Sequence, residues 1–287
     1  MLINEDAFSF IAGKIDDFEE GRSSHWRLEQ NKFTFNSNSF SDVGPMGTFS
    51  QSTSVLATIG HFLFQIPFRL FGLRYKHFLS VDKSKPWQAY TRDIGFVIND
   101  KLFYSEKRNL PEREGEVDEV LKDLPFDKKN SVVKILNGSI EGGDVLVHQG
   151  RAFVGVSART SMNALLELSD YVDVTILDLG SNIMHLDTRL TFLPRGYVLI
   201  YPPAFKKEDL NLLGRIFKFI TINSEECKNL GANIFCLNPE TLVIHSGHKR
   251  LAKKLRVAGF EVETIDYSEP INLAGSFRCT TMPLRRA

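Results

Sequence analysis

From Gly95 onward the chain repeats one pattern: two short apolar strands joined by a tight turn, a helical stretch, and a third strand. The turns fall at Asn99-Asp100, Gln149-Gly150, Arg195-Gly196 and Asn238-Pro239. They recur about every 45 residues, enough for a hairpin, a helix and a return strand. Each is flanked by apolar or β-branched runs, as where Val145-Leu146-Val147 faces Ala152-Phe153-Val154, which is a hairpin signature. Helices are predicted at about Glu114–Asp123, Ser161–Leu168, Lys206–Leu213 and His248–Ala258. The last puts Leu251, Leu255 and Ala258 on one face and stops at Gly259. Return strands are predicted at Val132–Leu136, Val172–Leu177 and Glu261–Ile265. Such units cannot each bury a sheet alone, so they are expected to close around an axis, which also protects their edges.

Chemistry-bearing residues occupy equivalent places in these units. Asp93 precedes the first hairpin, Glu141 and Asp144 the second, and His185 with Asp187 the third, while Cys279 is expected to begin a final strand. Closure would bring them to one point. A thiol, an imidazole and carboxylates from separate segments are the parts needed for covalent catalysis at an electron-poor carbon.

Composition narrows the alternatives. The chain has 287 residues, 43% hydrophobic and 24% charged, as in an ordinary globular protein. Lys+Arg and Asp+Glu both number 35, so no global field favours nucleic acid, and no basic and aromatic array or glycine-rich phosphate loop is present. Three cysteines without close spacing argue against a disulfide framework and for a reducing, cytoplasmic setting. Met1 to Asp17 reads without a signal peptide. Val55–Leu73 is long and apolar enough to weigh as a membrane span. It contains His61, Gln65, Pro67 and Arg69, however, and a proline breaks a helix interior, so a buried or surface-docked segment is expected. His245 and His248 lack a third ligand, so no metal site is expected there. Cys227 and Cys236 read as structural, and Arg285-Arg286 as a solvated tail.

Five motifs in order resemble the amidinotransferase and dimethylarginine dimethylaminohydrolase superfamily of guanidine-modifying enzymes, the penteins, and its compact dimethylargininase-like group. They are Tyr90-Thr91-Arg92-Asp93, Ile140-Glu141-Gly142-Gly143-Asp144, Ser157-Ala158-Arg159-Thr160-Ser161, His185-Leu186-Asp187 and Arg278-Cys279-Thr280-Thr281. They span Trp87 to Arg286. Ser41 to Met46 resembles the family's opening strand, but residues 1–85 match poorly, and Gly47 to Lys85 lacks the helical period expected there. The resemblance implies an α/β fold: a single domain over residues 1–287, a five-bladed α/β-propeller of ββαβ modules with pseudo-fivefold symmetry.

It also implies roles. Cys279 would be the nucleophile, His185 the acid and then the base, and Glu141 the residue orienting His185. Asp93 and Asp187 would grip the guanidinium, since planar N–H donors suit paired carboxylates. Arg159 would bind a substrate carboxylate, and Asp144 would contact the substrate's amino end or brace the Gly-Gly turn. The implied activity is hydrolysis of the guanidino group of arginine or an Nω-methylated arginine, giving citrulline and an amine. No cofactor and no metal are implied, and the partners are a small guanidino substrate and at most a second copy in a homodimer. Amidinotransferase, arginine dihydrolase and a non-catalytic binding module of the same fold remain open, as does membrane association through Val55–Leu73. Trp87 stands where some relatives place an amide side chain for the substrate carboxylate, which leaves room for a non-standard substrate.

Overall fold

The structure, a computed structural model, describes residues 8–9, 26–29, 32–35, 76–77, 87, 90–107, 110, 113–118, 121 and 131–283. Val55–Leu73, Ser41 to Met46 and Arg285-Arg286 lie outside these residues. Among those described, no helix is long and apolar enough to cross a membrane.

Two short pairings come first. Strand β1 (Phe8–Ser9) runs parallel to β4 (Lys76–His77), and β2 (Trp26–Glu29) antiparallel to β3 (Lys32–Phe35). Four three-stranded sheets follow, all with one topology. They are β5–β7 (Phe96–Ile98, Lys101–Ser105, Val132–Ile135), β8–β10 (Val145–His148, Arg151–Val156, Val174–Asp178), β11–β13 (Leu190–Leu193, Tyr197–Ile200, Lys218–Thr221) and β14–β16 (Phe235–Cys236, Thr241–His245, Glu261–Ile265). In each, the first two strands form an antiparallel hairpin, and the third lies parallel to the second. The connections carry helices α1 (Met162–Leu168), α2 (Lys207–Ile216) and α4 (Lys249–Val257), while α3 (Ser224–Lys228) and α5 (Ser268–Asn272) lie between and after the sheets. In the first unit Val117, Asp118 and Leu121 are helical, within the predicted span.

The hairpin register matches expectation residue for residue in the second unit: Val145 faces Val154, Leu146 faces Phe153 and Val147 faces Ala152. Three of the four turns have both central residues in the left-handed region, as two-residue hairpin loops require: Asn99 and Asp100 (φ 48° and 63°), Gln149 and Gly150 (51° and 76°), Arg195 and Gly196 (60° and 73°). The fourth differs. Asn238-Pro239 opens into a longer loop, in which Asn238 Oδ1 accepts from the N–H groups of Glu240 and Thr241. Proline fixes a negative φ and so cannot take the second place of such a turn.

Period-2 alternation explains how the sheets stack. Val97 and Leu102 of the first sheet pack with Ile94 and Met282, whereas Phe96, Ile98 and Phe103 pack against Val145, Ala152 and Val154 of the second. Leu146 and Phe153 in turn meet Leu190, Val198 and Ile200 of the third; Leu193 and Leu199 meet Leu242 and Ile244 of the fourth. The first three sheets are therefore packed on both faces, which is why their hairpin strands read as continuous apolar runs. Met282 closes the chain's end back onto the first sheet. The turns that precede each hairpin are thereby gathered on one side, and the functional residues sit there.

Candidate active site

Three short 3₁₀ turns stand just ahead of the hairpins: Thr91–Asp93, Gly142–Asp144 and Leu186–Thr188. They and the residues beside them carry Asp93, Glu141, Asp144, His185 and Asp187, all buried. His185 Nε2 lies 2.7 Å from Glu141 Oε2, and its Nδ1 lies 3.7 Å from Asp93 Oδ1. The Gly142-Gly143 pair makes this approach feasible. A Cβ on Gly143 would fall 2.7 Å from His185 Cγ and 2.9 Å from Asp93 Oδ1, and one on Gly142 would fall 2.1 Å from the Arg92 carbonyl oxygen.

Cys279 is buried but does not begin a strand. Residues Phe277 to Thr280 form a turn, with Thr280 N–H bonded back to the Ser276 carbonyl and Thr281 Oγ1 to that of Phe277. The turn is fixed from several sides. Tyr267 stacks on Phe277 at 4.0 Å between centroids and meets Thr280 Oγ1 at 2.8 Å, and Arg92 N–H donates to the Cys279 carbonyl at 3.0 Å. Strand pairing is replaced here by side-chain and turn bonds.

Asp144 braces the turn of the next unit. Its Oδ1 accepts from Leu186 N–H at 2.9 Å and its Oδ2 from Ser157 Oγ at 2.6 Å. Arg159 is half-buried, with its main chain held by Ser139 and Ser157, and among the described residues its guanidinium makes no hydrogen bond or ion pair. Asp187 meets Arg278 side-on: Arg278 Nε lies 3.4 Å from Asp187 Oδ2, while Asp187 Oδ1 and Arg278 Nη2 have no hydrogen-bond partner among the described residues. A buried acceptor left open in this way suits a donor brought by a ligand.

Two residues in the cluster, Arg113 and Asn233, escape sequence reasoning, and a third, Arg92, stands in a motif with no role assigned to it. Arg113 is buried, with Nη1 2.8 Å from Asp93 Oδ2 and 3.8 Å from Glu141 Oε2, Nε 2.8 Å from Glu116 Oε2, and Nη2 3.1 Å from the Tyr90 carbonyl. In Pro111-Glu112-Arg113-Glu114-Gly115-Glu116 it reads as part of a solvated charge run. Arg92 Nε donates to the Arg278 carbonyl at 3.1 Å, and Asn233, which lies in no pattern that marks a buried polar group, accepts from Cys279 N–H at 3.3 Å.

Electrostatics follow from burial and the crowd of acids. Burial alone would strip the His185 imidazolium of its proton, but Asp93, the bond to Glu141 and the charge of Asp144 outweigh it and carry the group up to about 10. Burial raises Asp144 to about 7 despite His185 and its hydrogen bonds, and raises Asp187 against the pull of Arg278. The Cys279 thiol is pushed well above its ordinary range, first by burial, then by Asp187 and Asp93. Burial and these two carboxylates together favour the protonated thiol.

Asp93, Glu141 and His185 offer ligand atoms within 4.8 Å of one another, the spacing a metal ion could use. The Arg113 guanidinium already lies against both carboxylates, however, so a divalent ion would have to displace a buried cation.

Comparison with known proteins gives the chain's relatives. The sequence model of the arginine deiminase family matches residues 117–216. An uncharacterized protein of Bacillus subtilis, YkgA, is 35% identical over 211 residues, 72% of this chain and 73% of that protein. The N(G),N(G)-dimethylarginine dimethylaminohydrolase of Mycobacterium tuberculosis is 28% identical over 205 residues, 69% of this chain and 66% of that enzyme. The chain belongs to the pentein superfamily. Among solved penteins, the N-terminal domain of the cyanobacterial arginine dihydrolase ArgZ, bound to substrate, superposes with a TM-score of 0.69 at 21% identity, covering 83% of this chain and 86% of that one. That likeness concerns the fold. An arginine deiminase of Mycoplasma capricolum is also similar, at 27% identity over 267 residues, 74% of this chain and 64% of that enzyme.

Proposed function

We propose that the protein is a guanidino-group hydrolase working through a covalent amidino intermediate on Cys279. The observation that carries this reading is the convergence of the His185–Glu141 pair with a thiol that feels the charges of both Asp187 and Asp93.

A guanidinium cation entering between Asp93 and Asp187 brings positive charge to the place where the carboxylates hold the thiol protonated. Its N–H groups find the open oxygen of Asp187 and the carboxylate of Asp93. The same charge favours the thiolate, whose proton leaves to solvent. The thiolate adds to the guanidinium carbon and forms the C–S bond. His185, an imidazolium at neutral pH, gives its proton to the departing nitrogen as the C–N bond breaks. The neutral imidazole then takes a proton from water. The resulting hydroxide adds to the same carbon, the C–S bond breaks to restore the thiolate, and the added hydroxyl gives its proton to solvent as the urea is released. Glu141 holds the ring in place for both steps. No metal or organic cofactor enters this scheme.

The substrate class is arginine or an Nω-methylated arginine, with citrulline and ammonia or a methylamine as products. Arg159, half-buried and without a partner among the described residues, is the group assigned to the substrate carboxylate. The chain reads as a single domain over residues 1–287 with five ββαβ modules. Its thiols are all free, which supports a cytoplasmic setting.

Product analysis by mass spectrometry tests the reading, with L-arginine, Nω-methylated arginines and a panel of guanidino acids, beside Cys279→Ala. Citrulline formed by the native protein and absent with the variant supports it. Ornithine redirects it to a dihydrolase or transferase. No turnover of any guanidine by folded protein replaces it with a binding module.

A further inference from the structure

Asn233 has no counterpart among the roles assigned above, yet it touches the functional segments on both sides. It is fully buried and lies two residues ahead of β14, just before the fourth hairpin, as Asp93, Asp144 and Asp187 lie one to three residues before the other three. Those three corners carry carboxylates; this one carries a neutral amide.

Its delivery is built into the chain. Helix α3 is closed at its start by a capping box between Asn223 and Glu226 and ends in a turn with Leu230 in the left-handed region (φ 56°). Gly231 N–H then donates to the Glu226 carbonyl at 2.7 Å, and Asn233 N–H to the Leu230 carbonyl at 2.9 Å. A Cβ on Gly231 would fall 2.8 Å from the Glu226 carbonyl oxygen, so the chain can turn inward here only with glycine.

The carboxamide spends every strong contact on the site. Oδ1 accepts from Arg278 N–H at 2.9 Å and Cys279 N–H at 3.3 Å, and Nδ2 donates to the Asp187 carbonyl at 3.4 Å. Two N–H donors on one side and a carbonyl on the other determine which end of the amide is oxygen. We propose that Asn233 is a positioning residue that clamps the main chain of the Cys279 turn to that of Asp187, setting the nucleophile against one of the carboxylates that hold the guanidinium. The proposal rests on the hydrolase reading for what the clamp is for. An amide is needed because it accepts and donates at once from a short side chain. Aspartate keeps the acceptor, loses the donor, and adds a negative charge beside the thiol and the Asp187 carbonyl. Serine is too short to span both segments. As three ordinary hydrogen bonds the clamp contributes modestly to stability, but a misplacement of about 1 Å at a nucleophile costs roughly a hundredfold in rate.

The test is Asn233→Asp, with Asn233→Ser beside it in case the first fails to fold. Turnover is measured together with the pH profile of Cys279 alkylation by 2-chloroacetamidine. The expected result is a fall in kcat of about a hundredfold with KM little changed, and for the Asp variant a labelling profile displaced to higher pH. A variant that keeps its kcat overturns the proposal. So does one whose loss only follows the fraction of folded protein while its labelling profile matches the native one. If the native protein turns over no guanidine, the hydrolase reading fails, and selective slowing of Cys279 labelling in the variants still decides whether Asn233 positions the thiol.

Discussion

At the scale of single residues, the site is organised by charge held out of water. The Cys279 thiol is kept protonated by burial and by Asp187 and Asp93, so a cationic reagent should do what a neutral one cannot. At pH 7, 2-chloroacetamidine is expected to alkylate Cys279 at least roughly tenfold faster than chloroacetamide, since one such factor needs only about 1.4 kcal/mol, with no such preference at Cys227 or Cys236. Asp187→Asn should reverse the pattern, slowing the cationic reagent and speeding the neutral one. Peptide mapping of the labelled protein measures both, and equal rates for the two reagents would refute the electrostatic picture. Protons are also linked to stability. His185 is raised from 6.5 to about 10, so its contribution is full below pH 6.5 and is lost as pH rises through about 10. Asp144 is raised from 3.8 to about 7, so its contribution is full below 3.8 and is lost as pH rises through about 7. Urea unfolding should therefore show these two groups lowering stability between pH 4 and 10. His185→Asn should flatten the upper part of that decline and Asp144→Asn the lower part. The residues behind these effects differ in how far the sequence reveals them. Cys279, His185 and Glu141 stand in recognisable motifs. Arg113 and Asn233 do not, because burial of a polar side chain depends on what the other units bring to it.

At the scale of elements, glycine placement records where backbone and site compete for space. Helix α5 ends with Ala274 in the left-handed region (φ 62°), a place usually given to glycine, and Gly275 N–H donates to the Pro270 carbonyl at 2.9 Å. The glycine stands one position later because a Cβ on Gly275 would fall 2.0 Å from Tyr90 Cε1. Tyr90 in turn donates to the Pro270 and Leu273 carbonyls and anchors this end of the Cys279 segment. Ala274→Gly should therefore stabilise the protein by about 1 kcal/mol and raise Tm by ~2 °C or more, with activity unchanged; a lower Tm in calorimetry would contradict the strain. Gly143→Ala should act the other way. Its Cβ would press on the His185 ring, and a fall in kcat of about a hundredfold is expected, whereas full activity would mean that the ring has room to spare. The hairpins and return strands were readable because turn chemistry and apolar runs are local. The turn at Cys279 was not, since its bonds run to Tyr267, Asn233 and Arg92 in distant segments.

At the scale of the whole molecule, the site is a property of closure. Its residues run from Asp93 to Cys279, each sheet shares a core with the next, and Met282 packs beside Ile94 and Val97 at the first sheet. No single unit holds the acid, the imidazole and the thiol. Loss of preferential Cys279 labelling in urea should therefore coincide with loss of far-ultraviolet dichroism in one transition. Earlier loss of labelling would mean that the site opens while the sheets persist. Four of the repeated units follow from the sequence, and membership of the pentein superfamily accords with them. The covalent step on Cys279 is the claim on which the rest depends. Its most direct test is rapid acid quenching during turnover of a guanidino substrate, followed by mass spectrometry of the Cys279 peptide. An amidino adduct on Cys279 that forms and decays at rates compatible with turnover is the expected result. Steady turnover with no adduct on Cys279, or with full activity retained by Cys279→Ala, would contradict it.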